Sequence, residues 1–204
     1  MSHLLGAIIL AAGEGRRFGG PKALARDGGQ SWLRLAVERI AGADFRWISV
    51  VLGAEAEKVR QDCQDLATPI SWVINHGWER GRTGSIICGL SDMPSGTRGA
   101  LVHQVDFPFV RTSTFRALAE AFAQYPDAER LLLLPIEGGR RGHPIIVGRD
   151  VWPEITSMGP DEPLRKVVHR SAGRLREVLV EDPGIHMNVN AAADITRSED
   201  SRKK

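Results

Sequence analysis

Apolar residues run without interruption from position 4 to 10 and stop at alanine and glycine. Such a run reads as a strand buried on both faces, as in a parallel sheet. A long glycine-rich loop follows, from Ala11 to about Gly29. Trp32, Leu33, Leu35, Ala36 and Ile40 then recur at helical spacing, with Ser31 placed to cap the helix. The alternation continues to the end of the chain. It predicts strands over 47–52, 70–74, 100–105, 131–134, 144–147 and 177–180, and helices over 55–66, 84–90, 112–124 and 163–169. Strands alternating with helices argue for a three-layer, Rossmann-like α/β fold with a mostly parallel sheet. Right-handed crossovers put ligand-binding loops at the carboxyl ends of the strands. No shift in composition marks a second domain, so 1–196 reads as one domain and the polar stretch 197–204 as a flexible tail.

Composition narrows the partners. The 204 residues carry a net charge of +2 and no basic block before the last few positions, which argues against nucleic acid as a ligand. The apolar run at 4–12 is too short for a membrane span and lacks the basic flank of a signal peptide, so a soluble cytoplasmic protein is expected. Cys63 and Cys88 lack the spacing of a zinc site or a disulfide framework and are expected as buried thiols. Trp32, Trp47 and Trp72 are expected in the core, while Trp152 fits either core or surface.

The loop after the first strand carries the chemistry. It reads Leu10-Ala11-Ala12-Gly13-Glu14-Gly15-Arg16-Arg17-Phe18-Gly19-Gly20-Pro21-Lys22. Glycines let backbone N–H groups approach an anion, and Arg17 and Lys22 add charge where phosphates would lie. Lysine is the rarer cation here, five against 22 arginines, so a lysine closing this loop stands out. Two rival phosphate motifs fit poorly. Lys22 is followed by alanine, not the hydroxyl residue of a Walker A loop, and Pro21 interrupts the direct glycine-to-helix passage of a dinucleotide fingerprint. An NAD(P)-dependent oxidoreductase is disfavoured on that ground.

The loop resembles the L-A-A-G-x-[GS]-x-R-[MF]-G-x-x-K signature of the MobA-like NTP transferases, and within that group the molybdenum cofactor cytidylyltransferases. The resemblance spans about 4–194. It implies a nucleotide-diphospho-sugar transferase type of fold, with the loop from Leu10, Ala11, Ala12, Gly13 and Gly15 wrapping a triphosphate and Arg17 and Lys22 on its phosphates. The stretch Asn75 to Ser85, which includes Trp78, resembles the family's N-x-x-W-x-x-G-x-x-x-S. It implies nucleotide contacts from Asn75, Gly81 and Ser85. Asp106-Phe107-Pro108 resembles a strand-ending D-[MQ]-P and implies that Asp106 ligates Mg²⁺. The run Glu137 to Pro144 resembles G-x-x-G-H-P and implies acceptor contacts from Arg140, Arg141 and His143. One departure is plain. Where relatives carry D-[IV]-D, this chain has Asn188-Val189-Asn190, so the metal position expected from Asp106, Asn188 and Asn190 holds one charge.

The resemblance therefore implies a Mg²⁺-dependent enzyme that moves NMP from an NTP, with CTP favoured, to a phosphorylated acceptor such as molybdenum cofactor, releasing pyrophosphate. GTP as donor and a sugar or alditol phosphate as acceptor are alternatives. The paired asparagines also raise a non-catalytic reading, a nucleotide- or cofactor-binding chaperone partnered with a molybdoenzyme. Monomer and dimer both remain open.

Overall fold

The computed structural model describes residues 5–190. The tail at 197–204, and the end of the domain assigned to 1–196, lie outside these residues. The strands are β1 (Leu5–Leu10), β2 (Arg26–Asp27), β3 (Gln30–Ser31), β4 (Trp47–Leu52), β5 (Ser71–Ile74), β6 (Gly99–Gln104), β7 (Leu132–Glu137), β8 (Arg140–Arg141), β9 (Ile145–Gly148) and β10 (Leu175–Leu179). The helices are α1 (Trp32–Ala41), α2 (Ala56–Asp62), α3 (Arg82–Ser91), α4 (Thr112–Gln124), α5 (Trp152–Thr156) and α6 (Arg165–Arg170). The main sheet runs in the order β10-β7-β9-β6-β1-β4-β5. Strand β9 pairs antiparallel with both β6 and β7, and the other neighbours on that path pair in parallel.

Period-two alternation on β1 divides the core. Ala7 and Ile9 face α1, α2 and α4, while Ile8 and Leu10 face α3, α5 and α6. Both faces of the central strands are covered, which explains the unbroken apolar runs. Ser31 caps α1 as expected: its hydroxyl accepts from the Arg34 backbone N–H at 3.3 Å.

Four expectations are corrected. Helix α2 ends at Asp62 because the chain tightens there into i→i+3 turns at Cys63, Gln64 and Leu66. A 3₁₀ turn at Arg149–Val151 that leads into α5 over Trp152-Pro153 has no counterpart among the predicted helices. Trp47 is 39% exposed at the start of β4, and its indole N–H faces Ser49 and Asp92 at 3.1 and 3.2 Å. It is not a core residue, and Trp72 is only half-buried. Cys63 is buried, with its thiol pushed up to about 12 by desolvation and Asp62, but Cys88 is half-buried. Among the described residues no helix is long and apolar enough to cross a membrane.

Candidate functional site

Central strand β1 delivers its loop to the carboxyl edge of the sheet. Ala11 N–H donates to Val51 O at 2.9 Å, and Ala54 N–H to Ala12 O at 3.0 Å, so the first loop residues are tied to the end of β4. The chain then turns back on itself at Gly15. The carbonyl of Gly15 accepts from Phe18 N–H (2.8 Å) and Gly20 N–H (3.3 Å), and Gly15 sits at φ +66°. A Cβ there would lie 1.9 Å from the Gly20 carbonyl oxygen, so both the backbone and the packing require glycine. Phe18 anchors the loop against Trp32, with ring centroids 5.3 Å apart.

The loop walls a cleft of about 350 Å³. Of the residues expected at the nucleotide, Leu10, Ala11, Ala12, Gly13, Gly15, Arg17, Lys22, Ser85, Asp106 and Asn190 line it. Trp78, Arg82 and Gln104 line it too. Arg16 is paired with Glu14 at 2.6 Å, whereas no carboxylate lies in ion-pair range of Arg17 among the described residues.

Pairing of β6 beside β1 sets Asp106 against Lys22. The ammonium donates to Asp106 Oδ2 at 3.4 Å and to Asn190 Oδ1 at 2.9 Å. The Asn188 amide donates to the same carboxylate oxygen at 3.3 Å, and Val189 N–H donates to the Asp106 carbonyl at 2.9 Å. The segment 188–190 is thus strapped onto Asp106. Two buried oxygens in this cluster, Asp106 Oδ1 and Asn188 Oδ1, have no hydrogen-bond partner. Orphaned oxygen acceptors beside a carboxylate fit a hard divalent cation that takes further ligands from phosphate and water. Among the described residues no group of three or more His, Cys, Asp or Glu could hold a metal, so the negative charge these residues bring to a cation at this cluster is that of Asp106.

A second cleft, of about 510 Å³, shares Leu10, Arg82 and Gln104 with the first. It holds two more of the expected residues, Gly81 and His143, and is also lined by Asp161, Glu162 and Arg165. Gly81 lies directly against the Pro160 carbonyl, and the Thr83 hydroxyl donates to the Glu162 carbonyl, so the 159–164 segment is bound to the start of α3. The Gln104 side chain accepts from Arg82 and faces the His143 ring nitrogens at 3.4 Å. His143 also packs on Phe107, centroids 4.4 Å apart. Burial, assisted by Arg82 and opposed by Asp106, holds its pKa below the usual histidine value. One strand position earlier, His103 is fully buried against Phe115, and desolvation lowers its pKa to about 3.

Four expected residues, Asn75, Asn188, Arg140 and Arg141, line neither cleft. Asn75 donates to the Ser85 hydroxyl at 2.9 Å and accepts from Gly77 N–H at 2.9 Å, so it braces the loop before α3. Asn188 meets the site through its amide N–H bond to Asp106. Arg140 stands exposed on the β7–β8 hairpin, and its neighbour Arg141 is paired with Glu177 at 2.6 Å. Ser85 is inside α3, where Gly81 is the N-cap. The sequence reading missed Arg82 and Gln104. A signal existed for the second: Gln104 is a polar residue ending an apolar strand, two places before Asp106.

Residues 7–177 match the MobA-like NTP transferase domain. The chain is 30% identical over 161 residues to nicotine blue oxidoreductase of Paenarthrobacter nicotinovorans, covering 74% of each. It is 29% identical to the bifunctional protein GlmU of Corynebacterium aurimucosum over 64% of this chain, and spans only 28% of that protein. Among solved structures, Rv0371c of Mycobacterium tuberculosis superposes with a TM-score of 0.83 at 22% identity, covering 98% of this chain and 100% of that one. Rv0371c has also been solved in complex with manganese (TM-score 0.77, 23% identity, 97% of this chain and 98% of that one). CMP:2-keto-3-deoxy-manno-octonic acid synthetase with bound CTP superposes at 0.71 with 14% identity, covering 98% of this chain and 99% of that one. These last likenesses establish a nucleotidyltransferase fold.

Proposed function

The chain belongs to the MobA-like NTP transferase family, and from that premise we propose that it transfers NMP from an NTP, with CTP favoured, to a phosphorylated acceptor. Molybdenum cofactor is the candidate acceptor. The observation that carries the reading is the convergence of the glycine loop, Arg17 and Lys22 on Asp106 in one cleft beyond the end of β1. Phosphoryl transfer needs mainly positioning and charge neutralisation, and this cleft supplies both.

The loop's backbone N–H groups and Arg17 hold the triphosphate. Lys22, already ordered by Asp106 and Asn190, places an ammonium at its phosphates. Asp106 and the Asn188 amide oxygen would hold a divalent cation, which when bound supplies Lewis-acid neutralisation of the phosphate oxygens. The acceptor phosphate enters from the second cleft. Its oxygen forms a bond to the α-phosphorus, the bond from that phosphorus to the β-phosphate bridge breaks, and the electron pair leaves on pyrophosphate. A phosphate dianion brings its own electron pair, so attack requires no proton removal.

Pyrophosphate release from each NTP, with Mg²⁺ or Mn²⁺ and molybdenum cofactor, tests the reading. Release with CTP above the other nucleotides is expected. No NTP-dependent release with any acceptor sinks it.

A second reading has a specific observation behind it. The oxidoreductase relative covers most of the chain, and the second metal position is uncharged here. In that reading the same cleft binds a nicotinamide dinucleotide by its pyrophosphate. A fluorescence titration with NADH and NADPH decides: saturable binding favours it, and no binding excludes it.

A further inference from the structure

Several arginines of this protein spend their charge on a carboxylate, and others, such as Arg116 and Arg149, give their N–H groups to backbone carbonyls. Arg26, Arg34, Arg98, Arg141 and Arg174 each pair with an Asp or Glu. Arg82 does not. It lies on the wall common to both clefts, and its guanidinium is held by a neutral amide, that of Gln104. Among the described residues no carboxylate comes within ion-pair distance of it.

The hydrogen bonds fix how this is arranged. Gln104 has one acceptor oxygen and one donor nitrogen. The oxygen takes the Arg82 N–H, which leaves the NH₂ to face the imidazole of His143. An NH₂ donor needs a lone pair on the ring, so the bond selects neutral imidazole, the form that burial of His143 also favours. The amide is thus oriented at both ends. A guanidinium has five N–H donors in a fixed fork, so one bond to Gln104 leaves others for two oxygens of a phosphate. A cation anchored by a neutral partner retains its full charge for a ligand. The same cation anchored by a carboxylate does not.

We propose that Arg82 grips the phosphate of the acceptor where the two clefts meet, with Gln104 as its positioning residue. The inference rests on the transfer reading and deepens it: it names the side chain that holds the acceptor phosphate and the one that positions it. It also replaces Arg140, which the sequence placed at the acceptor and the structure places outside both clefts.

Calorimetric titration of the full chain with phenyl phosphate, a minimal phosphomonoester, and separately with CTP and Mg²⁺, tests this without turnover. Arg82→Gln is expected to weaken phenyl phosphate at least tenfold and CTP by much less. Gln104→Glu keeps size and places a carboxylate against the guanidinium, so it too should weaken phenyl phosphate about tenfold while Arg82 is still present. Gln104→Leu should weaken it three- to fivefold in the wild-type background and not at all in Arg82→Gln, because it acts through that side chain. Each variant's melting temperature separates these losses from misfolding. Unchanged phenyl phosphate binding in folded Arg82→Gln overturns the proposal, as does an equal effect of Gln104→Leu in both backgrounds. Failure of the transfer reading looks different: the wild-type chain releases no pyrophosphate, while the phenyl phosphate titrations still report whether Arg82 holds a phosphate.

Discussion

Two glycine-rich turns of this chain look alike in sequence and differ in what surrounds them. Gly15 in the donor loop and Gly138 at the β7–β8 hairpin both adopt left-handed backbone, with φ +66° and +56°. At Gly15 an added Cβ would strike the Gly20 carbonyl, whereas at Gly138 it would meet nothing within 4 Å. The first turn is packed against itself and walls a cleft, and the second projects from the sheet. Their cations divide the same way. Arg17 and Lys22 line the donor cleft, while Arg140 lines neither cleft and Arg141 is committed to Glu177. Left-handed backbone marks a turn, but only contact around the turn makes it a scaffold for a ligand.

The comparison can be broken in several places. Asp106→Ala removes the carboxylate that Lys22 of the donor loop pairs with, and should lower pyrophosphate release by roughly 10³-fold, about 4 kcal/mol of barrier. A loss under tenfold would detach the loop from the chemistry. Gly15→Ala combines backbone strain with overlap, so denaturant melts should show a loss of about 2–4 kcal/mol together with loss of CTP binding. Gly138→Ala bears the backbone penalty alone, about 1 kcal/mol, with CTP binding intact. Equal effects at the two glycines would erase the distinction. Asn188→Asp puts a second carboxylate beside Asp106, and should make the melting temperature rise on adding Mg²⁺ and fall on chelation more than in the wild type. Arg140→Ala is expected to change kcat/KM by less than about twofold, the smallest effect of the set.

The donor half of the molecule was legible in its sequence. The strand at residues 4–10, the loop to Lys22 and the helix behind Ser31 are local, and each is stated by neighbouring residues. The layering followed from continuous apolar runs, which demand cover on both faces. What stayed hidden depends on long-range pairing. Nothing near Ile145–Gly148 says that β9 inserts antiparallel between β6 and β7, because a short buried strand looks the same in either direction. Arg82 was unreadable for a similar reason. It is one of 22 arginines, and its partner Gln104 lies far along the chain. The hairpin arginines line neither cleft, a placement that glycine and charge along the sequence do not reveal.

Buried His103 has a consequence for how the protein meets acid. Its imidazole titrates near 3 in the folded chain and near 6.5 when exposed. Between those values the unfolded chain binds a proton that the native state refuses. The associated stability is complete above about pH 6.5 and drains away as pH falls, by up to about 1.4 kcal/mol per pH unit. His143, also lowered by burial, adds in the same direction. The lowered carboxylates Glu129 and Glu154 begin to titrate only further down, so denaturant melts between pH 7.5 and 5.5 isolate the histidines. Over that interval the fold should weaken steadily, and less so in His103→Gln. A chain whose central strand hides an imidazole carries a built-in floor on the acidity in which it stays folded.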